Sequence, residues 1–268
     1  MNIFFICCYT GAYKENVLRV LESLSKYPNF HIYLVNQTNL TLDIFYTNYN
    51  EILVSKIGVS SARNIGIDLS IKKSNSINDL IYFWDEDIYI SDEILISLSS
   101  YVLDINYNAL TFKLKSFNGG RIGNYLILSR MFSIFNSYRL GNPSFFFRLS
   151  SIKIKFNEKI GPGKKIIIAA EDTLFILQNK IYKTVCPFKN LYLLHPNAYE
   201  ISNNDKIYNY SISQGYILKK LNTKDKIIFF LIIIHRPFFG YLFSVQNKQL
   251  YKNRLKGILN GYKKDFNI

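Results

Sequence analysis

Cysteine is nearly absent, with only Cys7, Cys8 and Cys186 among 268 residues. An odd number without ligand spacing excludes a disulfide framework and a thiolate metal site. Cys7 and Cys8 sit in an apolar run, so the cysteines read as small core residues in a reducing compartment. A secretory leader is also lacking. Ile3 to Cys8 is apolar, but it has no basic leader and no cleavage site, so it reads as a buried strand and nothing is expected to direct export. No uninterrupted apolar run reaches the roughly 20 residues of a membrane span. The strongest, Ile227 to Ile234, meets His235, Arg236 and Pro237 before Phe238-Phe239-Gly240-Tyr241-Leu242-Phe243. That break argues against a crossing. Lys219, Lys220, Lys224 and Lys226 before the run, and Lys248, Lys252, Arg254 and Lys256 after it, suit a segment lying on an anionic leaflet. A core helix or strand with a solvated basic flank is the alternative. Internal repeats and low-complexity linkers are missing as well.

Negative charge is scarce too. There are 19 acids against 33 Lys and Arg, a net +14, so part of the surface carries a positive field that suits a polyanion, an anionic surface or a phosphate. A basic nucleic-acid-binding protein is one reading, and it calls for basic residues interleaved with exposed aromatics. Here the aromatics fall in apolar runs such as Phe4-Phe5 and Phe229-Phe230, which favours core or membrane burial, and nucleic acid is not expected as a partner. The hydrophobic share of 49% supplies a packed interior and argues against disorder. The length suits one large α/β domain.

Continuous apolar runs and helical periodicity alternate over the first hundred residues. Strands are expected at Ile3 to Cys8, His31 to Val35, Glu51 to Val54 and Leu80 to Trp84, and helices at Lys14 to Leu24, Val59 to Ile71 and Ser91 to Leu103. This order predicts a mostly parallel, doubly wound sheet with ligands beyond the strand C-termini. Tyr9-Thr10, Asn36-Gln37 and Asp85-Glu86-Asp87 then share one rim. Further on, Ala109 to Lys115 and Phe145 to Arg148 read as strands, and Gly119-Gly120 and Gly123 as a loop. Gly161-Pro162-Gly163 is a breaker before Ile166-Ile167-Ile168, followed by a helix from Glu171 to Ile181 and extended segments through Val185 and Leu191 to Leu194.

Three adjacent carboxylates at a strand end repel one another, and a bound cation relieves that repulsion. Alternate side chains of an extended turn point the same way, so Asp85 and Asp87 can reach one hard metal. The competing role is a solvated acidic turn ahead of the helix at Ser91. In Gly58-Val59-Ser60-Ser61-Ala62-Arg63-Asn64-Ile65-Gly66, small residues open a helix whose N–H groups attract phosphate, and Arg63 adds a charged fork. Close helix packing would explain the same small residues. Glu171-Asp172 heads a helix, where a carboxylate is held as an anion able to accept a proton. His195, after Leu191 to Leu194, is a possible ligand, donor to an acceptor, or structural histidine.

Together these motifs, in this order over residues 1–200, resemble the family 2 glycosyltransferases of the GT-A fold, and in particular bacterial enzymes of capsular, lipopolysaccharide or exopolysaccharide synthesis. The resemblance implies an α/β fold: one Rossmann-like, mostly parallel sheet flanked by helices, with a C-terminal helical and apolar extension. It implies a catalytic domain over 1–200, with 1–105 holding the nucleotide sugar and 106–200 the acceptor, and a membrane-associating extension over 201–268. Asp85 and Asp87 would bind divalent Mn or Mg and the nucleotide diphosphate; His195 is a candidate metal ligand from its own position in the chain, its ligation left open. Thr10, Asn36, Arg63, Asn64 and Glu86 would line the nucleotide sugar, and residues 116–165 the acceptor. Asp172 would be the base, supported by Glu171, in a single inverting displacement. The chain departs from the family where aspartates usually end the second strand, because Val35-Asn36-Gln37 stands there. Asn36 can still bond a base edge, and Glu86 in the middle of the triplet leaves its own ligation open. The expected partners are a nucleotide-sugar donor, UDP-linked by preference, a lipid-linked glycan acceptor and the inner face of the cell membrane. A GT-A-like protein without catalysis is opposed by the presence of both acidic motifs.

Overall fold

A computed structural model describes residues 1–55, 57–122, 141–162, 164, 167–196, 204–243 and 247–264. Gly123, Gly163, Ile166 and much of the segment expected to line the acceptor site lie outside the described residues. Strands β1 (Ile3–Tyr9), β2 (Phe30–Asn36), β3 (Tyr49–Leu53) and β4 (Leu80–Asp85) alternate with helices α1 (Lys14–Ser25), α2 (Val59–Lys73) and α3 (Asp92–Ser100). Strands β5 (Ala109–Thr111), β6 (Lys113–Ser116), β7 (Arg121–Ile122) and β8 (Phe145–Arg148) follow, then helix α4 (Glu171–Gln178), β9 (Thr184–Val185) and β10 (Tyr192–His195). The chain closes with helices α5 (Asn204–Lys220), α6 (Thr223–Phe243) and α7 (Lys248–Lys263).

The main sheet has seven strands in the order β3-β2-β1-β4-β8-β5-β9, and β6, β7 and β10 form a small second sheet. β1 is parallel to both β2 and β4, and β8 runs antiparallel between β4 and β5. The mixed α/β class expected from the sequence is the observed one. Every residue of β1 is buried, because both faces of the sheet are covered. Side chains two apart share a face. Ile3, Phe5 and Cys7 therefore join Val17, Leu21, Leu95 and Leu98 of α1 and α3, while Phe4, Ile6 and Cys8 join Ala62 and Ile67 of α2 and Phe175 of α4.

Three segments differ from the sequence reading. Ala109 to Lys115 is two strands, because buried Phe112 donates its N–H to the Ser144 carbonyl and the chain there passes from the main sheet to the small one. Helix α4 stops before Ile181. Asn179 spends its side chain on the Phe175 carbonyl (2.9 Å) and on the Lys153 and Ile154 N–H groups (2.6 and 2.8 Å), and Lys180 takes a left-handed φ of 54°. The third difference is α6, which runs unbroken through His235, Arg236 and Pro237 although Pro237 lacks the N–H for its helical hydrogen bond. The break expected to oppose a bilayer crossing is therefore absent. Among the described residues α6 is the one helix long and apolar enough to cross a membrane by length and composition.

Helix α6 nevertheless packs on the domain. Phe229 and Ile233 share a core cluster with Ile160, Ile167, Leu174 and Leu177. Asp225 accepts from the Tyr182 hydroxyl at 2.6 Å. Helices α5 and α7 touch at backbone distance: any Cβ at Gly215 would strike the Ile258 carbonyl, and one at Gly261 the Ile212 carbonyl.

Gly66 is where α2 lies closest to the sheet, since a methyl group there would collide with the buried Ile6 side chain. Gly66→Ala is expected to lower stability by about 1–3 kcal/mol, despite alanine's better helix propensity. The urea midpoint checks this, and an unchanged or raised midpoint refutes the close packing.

Candidate active site

The sheet changes winding direction at β1, from which β2 and β3 lie to one side and β4 to the other. The carboxyl ends of β1 and β4 therefore flank the point where ligands enter such sheets. The acidic triplet sits there in a tight turn. Ile88 N–H returns to the Asp85 carbonyl, Trp84 Nε1 donates to the Ile88 carbonyl, and Asn16 Nδ2 of α1 bonds the carbonyls of Glu86 (2.8 Å) and Ile88 (3.1 Å). Glu86 turns back to β1, taking both the N–H (3.2 Å) and the hydroxyl of Thr10. The three carboxylates thus part, Glu86 to Thr10, Asp85 to Arg63 and Asp87 to His195.

Arg63, on the first turns of α2, is 3% exposed. Its Nη2 meets Asp85 Oδ1 at 2.9 Å, its Nη1 meets Asp172 Oδ1 at 2.7 Å, and Glu171 Oε1 lies 3.6 Å from Nη1. The guanidinium rests over the Phe156 and Phe83 rings at 5.3 and 6.0 Å. Burial alone would push its pKa down, but Asp172 and Asp85 outweigh burial and it rises.

The opposite wall begins at Ala170, whose left-handed backbone (φ 67°, ψ 13°) costs a non-glycine residue on the order of 1 kcal/mol. That turn starts α4 with Glu171 and Asp172 both directed at Arg63. Their environments differ. Glu171 is 7% exposed, and burial, then Asp172, push its carboxyl up to about 8 against the opposing pull of Arg63. Asp172, at 20% exposure, faces the cleft, and Gly141 leaves room beside its Oδ2. Burial likewise raises Asp85, with Arg63 opposing.

His195 arrives through β10. Tyr89 and Leu194 exchange both backbone hydrogen bonds, at 2.8 and 3.0 Å, which sets His195 Nε2 3.3 Å from Asp87 Oδ2. Its Nδ1 donates to the Pro196 carbonyl, which turns Nε2 toward the Asp87 carboxylate. Two ligands of one divalent metal at 2.0–2.2 Å stand about 3 Å apart, so this pair fits. Among the described residues, no three His, Cys, Asp or Glu side chains converge on one metal position, and Asp85 is directed to Arg63 instead.

The cleft has a volume of about 540 Å³ and includes Thr10, Arg63, Asp85, Glu86, Asp87, Glu171, Asp172 and His195 on its walls. Two residues expected there lie elsewhere. Asn36 is fully buried, with its amide committed to the Leu40 carbonyl (2.8 Å), Glu51 and the Thr38 N–H (2.7 Å). Asn64 holds the Phe156 backbone in both directions and Glu158 at 2.8 Å, while Ser60 bonds the Ile160 carbonyl. The small-residue start of α2 therefore anchors the 156–160 segment, and Gln37 takes the Ile57 and Gly58 N–H groups. Sequence reasoning missed Tyr210 and Gln214 of α5, which line the same cleft. Their signal was a polar residue on a helix stripe that is otherwise apolar at Ile207, Ile217 and Leu221.

No protein-family profile matches the chain, and no curated protein matches it by sequence. Solved structures share its fold. Residues 1–349 of S. aureus TarS are similar over 98% of this chain and 81% of that one, with TM-score 0.63 and 17% identity. A longer TarS structure is matched over 97% of this chain and 49% of its own, with TM-score 0.54 and 18% identity. Mannosyltransferase PcManGT from Pyrobaculum calidifontis, in complex with GDP-Man and Mn2+, is similar over 99% and 76%, with TM-score 0.56 and 9% identity.

Because folded Glu171 holds its proton more tightly than the unfolded chain, its contribution is greatest in acid and is lost as pH rises through about 8. Glu171→Gln keeps the size and removes the titration. The variant is expected to gain stability over the native protein at pH 8 and to lose that advantage near the ordinary glutamate range. Urea midpoints across the interval check this, and parallel profiles contradict a protonated Glu171.

Proposed function

We propose that the chain is a metal-dependent, inverting glycosyltransferase of the family 2 type, moving a sugar from a nucleoside diphosphate to a hydroxyl of a lipid-linked or surface-polysaccharide acceptor. The observation that carries this reading is Arg63, whose single guanidinium joins the carboxylate after β4 to the carboxylate opening α4. Two acidic motifs distant in sequence thereby form the two walls of one cleft. The shared fold with a mannosyltransferase that binds GDP-Man and Mn2+ supports it.

Asp87 and His195 would hold Mn or Mg, with Asp85 beside them, and diphosphate and water would complete the shell, as is usual for Mg, which seldom has an all-protein cage. Bound there, the metal would neutralise charge on the departing diphosphate. Asp172 is the base that removes the acceptor's proton, since burial pushes the Glu171 carboxyl toward its protonated form and leaves Glu171 the supporting role. Arg63 fixes Asp172 in place and balances the wall's charge. Thr10 and Glu86 lock the ends of β1 and β4 together. The donor class is open between bases because Asn36 is spent inside the fold, so a uridine donor is the first choice to test and not a requirement.

The exposed side of α6 supports a position on the cytosolic membrane face. Ile227, Phe230, Leu231, Phe238, Phe239, Leu242 and Phe243 are exposed, while Phe229 and Ile233 are buried in the domain. One face is thus taken by the protein core, and an apolar outer face with Lys224 and Lys248 near its ends suits a helix lying in an anionic leaflet.

Thermal-shift measurement with UDP-glucose, UDP-N-acetylglucosamine and GDP-mannose is expected to show stabilisation by one nucleotide class in MnCl2 that EDTA abolishes. Asp87→Ala should lose that shift. Asp172→Asn should keep it and lose about 10²–10⁴-fold in nucleotide release on turnover. Near-native turnover of a folded Asp172→Asn protein would sink the assignment of the base. Co-sedimentation with phosphatidylglycerol vesicles should exceed that with phosphatidylcholine and should fall in Phe239→Asp/Phe243→Asp; equal recovery of variant and native protein argues against the α6 surface.

A further inference from the structure

Helix α5 presents two faces. One carries Ser211, Ile212 and Gly215 and is pressed against Gly257, Ile258 and Gly261 of α7 so closely that a Cβ at Gly215, Gly257 or Gly261 would clash. The other face carries Tyr210, Gln214, Ile217 and Leu221 at helical spacing. Ile217 and Leu221 are buried in the core cluster shared with α4, and an apolar side chain at 214 would continue the stripe. Glutamine stands there instead, on the cleft wall. Its Oε1 is shielded from solvent and has no hydrogen-bond partner among the described residues. A buried acceptor left unmet is unfavourable, and native folds leave few of them. Tyr210, one turn earlier, is 41% exposed and lines the same cleft.

We propose that Gln214, with Tyr210, is a sugar-binding element of this cleft, in which the partly buried Gln214 side chain turns its amide into the cleft and its carbonyl accepts a hydrogen bond from a hydroxyl of the bound sugar. The inference rests on the transferase reading and assigns part of the sugar site to the C-terminal helices. A hydroxyl donor is the chemistry that satisfies a lone buried acceptor. An amide suits the position because Asp85, Glu86, Asp87 and Asp172 already crowd the cleft with acidic side chains, and a further carboxylate would repel a diphosphate. The Tyr210 ring offers an apolar platform with a polar tip beside it. Burial, then Glu171, raises the Tyr210 phenol, which keeps it a hydrogen-bond donor at neutral pH. The sugar can be the one on the donor or the one on the acceptor, and the two are separable.

Gln214→Leu removes the acceptor at nearly constant size, and Tyr210→Phe removes only the hydroxyl. The free Gln214→Leu protein should melt at or above the native temperature, because an unmet buried acceptor has gone, whereas a purely structural Gln214 would make it melt lower. Calorimetric titration then compares UDP-glucose and GDP-mannose with UDP and GDP. Saturation-transfer NMR with methyl glucoside, methyl galactoside and methyl N-acetylglucosaminide, in the presence of nucleotide and MgCl2, reads weak sugar binding directly. If Gln214 meets the donor sugar, Gln214→Leu loses on the order of tenfold in nucleotide-sugar affinity with nucleotide affinity unchanged. If it meets the acceptor, nucleotide-sugar affinity stays and the glycoside signal falls. Unchanged binding in both arms, or a lower melting temperature with binding intact, overturns the proposal while leaving the transferase reading standing. A native protein that binds no nucleotide and no nucleotide sugar overturns both.

Discussion

The site depends on a positive charge that is almost wholly buried. Arg63 is enclosed by Phe83 and Phe156 and answered by Asp85, Asp172 and, more distantly, Glu171. A buried guanidinium without carboxylates would be strongly unfavourable, whereas Asp85 and Asp172, both partly open to the cleft, depend on it less. The cluster is therefore stable only when β4, α2 and α4 stand in one mutual arrangement, and that arrangement is the cleft. The surplus of acid over base inside it bears hardest on Glu171, whose carboxyl burial and then Asp172 push toward the protonated form, while its neighbour Asp172 faces the cleft.

The parts of the fold legible in the sequence were those governed by local rules. The continuous apolar run of β1, the helical spacing of α1 and the acids that open α3 and α4 each carry their signal within one element. So did the acidic triplet and His195, although their meeting depends on a pairing between Tyr89 and Leu194 that no local pattern announces. Asn36 and Asn64 looked the same in sequence as ligand-binding amides do. The difference lies in long-range partners: Glu51 for one, and Phe156 and Glu158 for the other. An amide is equally able to hold a base or a loop, and only the fold decides which is within reach.

The C-terminal helices were the least legible region. A proline after His235 and Arg236 is a sound local reason to end a helix, yet α6 continues, with Phe229 and Ile233 packed in the domain's core cluster and Pro237 buried. Gln214 was hidden for the opposite reason. A single polar residue on an apolar stripe attracts little notice until the cleft it borders is known.

The antiparallel strand β8 has a consequence for how the chain is made. Phe145–Arg148 sits between β4 and β5, so neither of those strands has that neighbour until the intervening segment has been synthesised. β4 pairs with β1 on its other side, which leaves a half-sheet with an apolar open edge for the seconds that translation of the intervening residues takes. Such an edge is a template for pairing with another chain. The three phenylalanines of β8 close that edge from within and join β4 to β5, so that only β9, on the far side of β5, is left to add.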